Sequence, residues 1–117
     1  KVAFIGGGVI ARLALERISG GDLGDFVPVA ILGRSDRSKG RDLAAQYGLP
    51  YVLDRGALLA LRPDVVVEAA SHDAVREHAA PLLEAGVSVI LLSGGALHDD
   101  PLRARLERLA AEKKAFL

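Results

Sequence analysis

The chain opens with the apolar run Lys1-Val-Ala-Phe-Ile5, which continues directly into Gly6-Gly-Gly-Val-Ile-Ala11. Apolar residues then recur with helical spacing as far as Ile18. A strand, a G-x-G-x-x-A turn and a helix in this order are typical of the phosphate-binding turn of a dinucleotide fold. The alternative is an ordinary flexible turn, but the strand before the glycines and the helix after them favour phosphate binding.

Each small residue of this turn has a separate predicted role. Gly6 permits the tight turn, Gly8 lets the backbone approach a pyrophosphate, and Ala11 allows the helix to pack closely on the strand. The amides at the start of the helix, including those of Val9 and Ile10, would then face the anion. These five residues are therefore candidate cofactor-binding residues.

The rest of the chain repeats the alternation of strand and helix. Strands are predicted at 1–6, 27–33, 51–53, 64–70 and 87–92, and helices at 8–19, 36–47, 55–61, 73–85 and 99–114. Alternating units of this kind form a parallel sheet with right-handed crossovers. We predict a single α/β domain of Rossmann type, a doubly wound parallel sheet in three α/β/α layers with strand order 3-2-1-4-5. Asp36 and Asp73 are predicted helix caps, and Ala115-Phe-Leu117 resembles the start of a sixth strand.

Composition excludes several classes of function. Half of the 117 residues are hydrophobic, enough for one core, and fifteen basic residues balance fifteen acidic ones. The balanced charge gives no reason to expect binding to nucleic acid or to a membrane surface. The chain has no cysteine, which excludes thiol catalysis and agrees with a cytoplasmic location. No histidine has partners at metal-ligand spacing, so no metal site is predicted.

The end of the second predicted strand bears on the choice of cofactor. In this fold an acidic residue there holds the 2′-hydroxyl of NAD, but the sequence reads Gly33-Arg-Ser-Asp-Arg37 without a carboxylate at the strand tip. Arg34 would pair with the 2′-phosphate of NADP, and Ser35 would donate a hydrogen bond. NADP therefore fits better than NAD. The alternative is that Arg34 and Arg37 are both solvated and that Asp36 caps the following helix or reaches the ribose.

Small residues follow the fourth and fifth predicted strands, where a nicotinamide ribose would approach. They are Ala69, Ala70 and Ser71 in one segment and Ser93 and Gly95 in the other. Close packing of strand ends and helix starts explains them equally well. Glu68 is expected to satisfy neighbouring backbone amides rather than to bind ribose. The sequence assigns no catalytic residue. An imidazole at His72 could carry a proton, but a lone histidine at a helix start is usually a surface residue, and Ser71 and Ser93 lack a visible base.

Four segments together resemble a known family. They are Val66-Val-Glu-Ala-Ala-Ser71, Ala74-Val75, Leu83-x-Ala85-Gly86 and Ser93-Gly-Gly-Ala-Leu97-x-Asp99, in the order found in L-aspartate dehydrogenases. The chain resembles their amino-terminal NAD(P)-binding domain over nearly all of its length, and homoserine dehydrogenases share this type of domain. It departs from the pattern at Gly7 and Gly94, where other residues are usual.

The resemblance implies oxidative deamination of L-aspartate to iminoaspartate, which becomes oxaloacetate and ammonia, and a link to NAD biosynthesis. It also implies that the chain, 1–117, is a fragment whose catalytic carboxyl-terminal domain is missing, so that the chain alone is inactive. Two alternatives remain: the same domain of another amino-acid or sugar dehydrogenase, and a non-enzymatic module that senses the nucleotide. An exposed sheet edge would favour self-association into a homo-oligomer.

Overall fold

Strands and helices alternate along the chain in a computed structural model that describes residues 1–20, 26–33, 39–92 and 99–113. The strands are β1 (Val2–Ile5), β2 (Pro28–Leu32), β3 (Tyr51–Val52), β4 (Val65–Glu68) and β5 (Ser88–Leu91). The helices are α1 (Val9–Ser19), α2 (Lys39–Tyr47), α3 (Arg55–Ala60), α4 (His72–Glu84) and α5 (Asp100–Glu112). The five strands and five helices predicted up to residue 114 are all present, with ends that differ by at most two residues where both ends are described.

The five strands form one parallel sheet in the order β3-β2-β1-β4-β5, as predicted. The central strand, β1, pairs through Ala3 with Ala30 of β2 on one side and with Val66 of β4 on the other. The order reverses beside β1, because the chain leaves β3 at one edge and returns next to β1 as β4. The ligand crevice of such a sheet lies at this point, outside the carboxyl ends of the strands.

Helices cover both faces of the sheet. One face packs against α1 and α2 around a core that contains Phe4, Leu15 and Leu43. The other face packs against α3, α4 and α5 around a larger core, with Leu58, Leu83 and Leu106 among its fully buried side chains. Apolar side chains on both sides of each central strand explain why the strands are nearly continuous apolar runs. The three-layer arrangement is therefore as predicted.

Short polar side chains begin the helices of the second half. The carboxylates of Asp54 and Asp99 accept hydrogen bonds from the third residues of α3 and α5, at 2.7 Å and 3.1 Å. At α4 the prediction was wrong: the cap is Ser71, whose hydroxyl accepts from the Ala74 amide at 3.2 Å, and not Asp73. Because α4 begins one residue earlier than predicted, Asp73 lies inside its first turn. The predicted cap Asp36 and the sixth strand lie outside the described residues.

Candidate dinucleotide site

Backbone hydrogen bonds tie the carboxyl ends of the strands together beyond the strands themselves. The Gly6 amide donates to the Leu32 carbonyl at 2.9 Å, and the Ala69 amide donates to the Ile5 carbonyl at 2.9 Å. The segment after β1 is therefore held between the ends of β2 and β4. This edge is where the sequence places most of its candidate residues.

The glycine turn approaches the neighbouring strand end closely. Gly6 has φ of +93°, a left-handed conformation that favours glycine, and a Cβ there would lie 3.0 Å from both the Ala69 carbonyl oxygen and the Ala70 Cβ. Gly8 differs, because its φ is −78° and a Cβ there would have no atom within 4 Å. Gly6 is thus required by the fold, whereas the space in front of Gly8 is open to a ligand.

The start of α1 faces the same space. Gly8 is the N-cap, and its carbonyl accepts the first helical hydrogen bond from the Arg12 amide at 3.1 Å. The amides of Val9 and Ile10 precede that bond and have no acceptor within the helix. The first turn of α1 contains no acidic side chain, so the positive end of the helix dipole is not offset there. Ala11 is fully buried against the sheet, as predicted.

A cleft of about 390 Å³ runs along this edge. Its described lining includes Gly6, Gly7, Gly8, Gly33, Ala69, Ala70 and Ser71, together with Ala74, Glu77 and His78 of α4. The structure thus brings the described candidates from three strand ends to one cleft. Arg34, Ser35, Ser93 and Gly95 lie outside the described residues.

Glu68 is buried at the end of β4, where its side chain stabilises the backbone that follows the strand. Its side chain is among the fully buried ones, and Oε2 accepts a hydrogen bond from the Ala70 amide at 2.8 Å. This bond holds the Ala69–Ala70 peptide in the position against which Gly6 packs. Glu68 therefore has the backbone-satisfying role expected from the sequence.

Gly33 has a packing role that the sequence did not reveal. A Cβ at this position would overlap the hydroxyl and ring of Tyr51 from β3. The Gly33 amide also donates to the Val52 carbonyl at 3.0 Å, which keeps the end of β2 against β3. Any larger residue at position 33 would displace the tyrosine from the strand tip where the adenosine half of a dinucleotide is expected.

A second feature missed by sequence reasoning is the group formed by Arg55, Glu77 and His78. One guanidinium nitrogen of Arg55 lies 3.1 Å from the Glu77 carbonyl oxygen and 3.2 Å from Nδ1 of His78. Pro81, four residues after Glu77, has no amide to donate to that carbonyl. Arg55 supplies the missing donor and so links α3 to α4.

His78 is a partly buried titratable group on the cleft wall. Its side chain is 12% exposed, and Nε2 lies 3.6 Å from the Glu77 carboxylate. Burial lowers the pKa of His78 below 6.5; the Glu77 carboxylate partly offsets this effect, and Arg55 adds to it. Because arginine only donates, the contact with Nδ1 requires a neutral imidazole with its proton on Nε2.

Within residues 1–20, 26–33, 39–92 and 99–113, no group of three or more histidine, aspartate or glutamate side chains is arranged to hold a metal ion. None of the helices α1 to α5 is both long and apolar enough to cross a membrane.

A glycine turn that leads into a helix, below a cleft at the carboxyl edge of a parallel sheet, defines a dinucleotide-binding domain of Rossmann type. Residues 5–117 match the family model for the NAD-binding domain of homoserine dehydrogenase. The chain belongs to this family, and dinucleotide binding is the property that the family name states. The family assignment predicted from the residue patterns is confirmed at the level of the domain.

Curated relatives of the chain are L-aspartate dehydrogenases. L-aspartate dehydrogenase 2 of Bordetella bronchiseptica is 43% identical over 107 residues, which cover 91% of this chain and 39% of the relative. The chain therefore spans about two fifths of the length of the curated relatives it matches.

Solved structures of oxidoreductases share the fold. Biliverdin reductase from Synechocystis, solved with biliverdin and NADP⁺, is 26% identical with a TM-score of 0.77, covering 99% of this chain and 36% of that one. Aspartate dehydrogenase from Thermotoga maritima has a TM-score of 0.70 at 24% identity, covering 100% of this chain and 44% of that one. At that identity the second likeness shows the fold alone.

Proposed function

We propose that this chain is the cofactor-binding part of an NAD(P)-dependent L-aspartate dehydrogenase. The observation that carries the proposal is the glycine turn: Gly6 is fixed by its conformation, and Gly8 opens the start of α1 to an anion. The dinucleotide diphosphate would lie over this turn, with Ala69, Ala70 and Ser71 towards its nicotinamide side. Val9, Ile10, Ser93 and Gly95 are proposed as further contacts from their positions in the sequence.

The proposed reaction rests on the relatives. The cofactor would supply the hydride acceptor: L-aspartate would lose a hydride and a proton to give iminoaspartate, which would hydrolyse to oxaloacetate and ammonia. Because the relatives are longer than this chain, we propose that a second domain supplies the substrate-binding and catalytic groups. Oxidation of L-homoserine is a second candidate, favoured by the family model. Cytoplasmic location and self-association also remain predictions from the sequence.

NADP is proposed as the preferred cofactor. The support is the sequence after β2, where Arg34 and Ser35 follow Gly33 and no carboxylate stands at the strand tip. The biliverdin reductase with the same fold was solved with NADP⁺. An arginine in this position favours the additional phosphate through its planar pair of donors.

Calorimetric titration with NADPH and NADH tests both parts of the proposal. Gly8→Ala is expected to weaken both ligands by about tenfold or more, because its methyl group occupies the space of the diphosphate. Gly48→Ala is the matched control: Gly48 has φ of +66° and open space around it, and it does not line the cleft. That variant loses stability but keeps its affinity. Arg34→Ala should weaken NADPH alone.

The outcomes separate the claims. If the folded wild-type chain binds neither nucleotide, the proposed cofactor role is wrong. Equal affinity for both nucleotides, unchanged in Arg34→Ala, would contradict the preference for NADP and leave the site intact. An assay of the longer protein with L-aspartate and L-homoserine then decides between the two substrates.

A further inference from the structure

The cleft above the glycine turn continues into a second cavity. The second cavity has a volume of about 440 Å³ and is lined by Gly33, Leu53, Asp54, Arg55, Gly56, Glu77 and His78. Gly33, Glu77 and His78 line both spaces, so the two meet at the tip of β2. A ligand with its diphosphate over the glycine turn directs its adenosine half to this point.

Arg55 and His78 have the chemistry to form a wall for a purine there. The neutral imidazole of His78 is held by Arg55 on one nitrogen and lies near the Glu77 carboxylate on the other side. These two contacts fix the orientation and the tautomer of the His78 ring, part of which is exposed to the cavity. Arg55 is anchored in turn by the Glu77 carbonyl, so neither side chain needs to be ordered when a ligand arrives.

We propose that His78 contacts the adenosine half of the dinucleotide and that Arg55 is its positioning residue. The inference rests on the proposed function, because it assumes that the diphosphate lies over the glycine turn. It adds a recognition point from α3 and α4, beyond the glycine turn and the segment after β2. It also links adenosine binding to the protonation state of the imidazole, since a protonated His78 cannot accept from Arg55.

Titration with two halves of the cofactor tests the proposal. ADP-ribose contains the adenosine half, whereas reduced nicotinamide mononucleotide lacks it. His78→Leu should weaken ADP-ribose by about five- to tenfold and leave the mononucleotide unchanged. His78→Gln retains an acceptor for Arg55 and should restore part of the affinity. Arg76→Ala is the matched control, because Arg76 is an exposed residue of α4 that lines neither cavity.

A titration series in pH separates recognition from a purely structural role. Among the described residues, the charged groups facing His78 are Arg55 from α3 and Glu77 from α4. ADP-ribose affinity of the wild type should fall from about pH 7.5 to about pH 5.5, and this fall should be absent in His78→Gln.

The role of Arg55 in positioning His78 has to be measured in a variant that does not need Arg55 as the donor to the Glu77 carbonyl. In Pro81→Ala the helix amide can reach the Glu77 carbonyl. Because Arg55 also lines the second cavity, its positioning role is reported by a loss of ADP-ribose affinity on Arg55→Ala in that background that disappears when His78→Leu is present as well. Equal loss of both half-ligands, or unchanged affinity for ADP-ribose, would overturn the proposal. A wild-type chain that binds NADPH but responds to none of these substitutions overturns this inference alone, and a folded chain that binds no nucleotide overturns the proposed function as well.

Discussion

At the scale of single residues, the site depends on atoms that are fixed by local constraints. The positive φ of Gly6 and its closeness to Ala69 and Ala70 disfavour any side chain at this position. On the other side of the contact, the Glu68 carboxylate accepts a hydrogen bond from the Ala70 amide. The position of Gly6 is set by its backbone conformation, and the position of the Ala69–Ala70 peptide is set by the hydrogen bond to Glu68. The shape of the turn is thereby fixed without a ligand.

Removal of the Glu68 carboxylate should loosen this contact. We expect Glu68→Ala to lower the free energy of unfolding by about 2 to 4 kcal/mol, because it leaves a cavity and deprives the Ala70 amide of its acceptor. Glu68→Gln keeps an oxygen acceptor of the same size and should lose about 1 kcal/mol. Urea unfolding measures both changes, and hydrogen exchange at Ala70 reports the bond itself. Equal losses in the two variants would contradict the assigned hydrogen bond.

His78 should make stability depend on pH. Its folded pKa lies below the ordinary 6.5, so the unfolded chain binds a proton that the folded chain excludes. Stability is therefore full above about pH 6.5 and is lost as the pH falls through the folded pKa. His78→Gln should remove the dependence of stability on pH below about pH 6.5. Urea unfolding in steps of pH from about 7.5 down to about 5 measures the free energy of unfolding of both proteins. A wild-type profile that matches the variant would show that His78 titrates normally.

At the scale of elements, α4 contains a proline that removes one of its backbone hydrogen bonds, and a side chain of α3 supplies the donor in its place. Pro81 leaves the Glu77 carbonyl without its helical partner, and Arg55 of α3 donates to it at 3.1 Å. The contact that Arg55 of α3 makes with α4 near the cleft therefore depends on a proline in α4. This explains how a six-residue helix is oriented so that Arg55 and His78 meet.

A double-mutant cycle tests that explanation. Arg55→Ala should lower stability in the wild type because the carbonyl loses its donor. The same substitution should cost about 1 kcal/mol less in Pro81→Ala, where the helix supplies an amide. Urea unfolding of the four proteins gives the coupling free energy. Additive effects would mean that Arg55 stabilises the chain through other contacts.

The elements themselves were predictable from the sequence, and some connections between them were not. Apolar runs separated by amphipathic segments are sufficient to predict a parallel sheet, and the glycine turn marks where its order reverses. The cap of α4 was assigned to Asp73 instead of Ser71, because both are good capping residues close together in the sequence. The contacts of Arg55 with α4 and of Gly33 with Tyr51 join distant residues, so no local pattern signals them.

At the scale of the whole molecule, the cleft lies where the two helical layers meet at the edge of one sheet. The glycine turn leads into α1 on one face, whereas Ser71, Ala74 and His78 belong to the end of β4 and to α4 on the other face. A dinucleotide in the cleft would contact both layers. Its binding should therefore stabilise the domain as a unit.

A core substitution far from the cleft makes this stabilisation measurable. Leu106 of α5 is fully buried and lines neither cavity, so Leu106→Ala should cost about 3 kcal/mol without changing the affinity for dinucleotide. A ligand that binds only the folded state adds about 2.7 kcal/mol at a concentration of 100 times Kd. NADPH at that level should thus restore most of the lost stability in urea unfolding, with a single transition throughout. Gly8→Ala should gain about half as much or less from NADPH at the same concentration, because an affinity at least tenfold weaker leaves the ligand at no more than about 10 times its Kd. Two separate unfolding transitions would show that the two helical layers unfold independently. If NADPH then stabilised only one of these transitions, the ligand would be held by one layer alone.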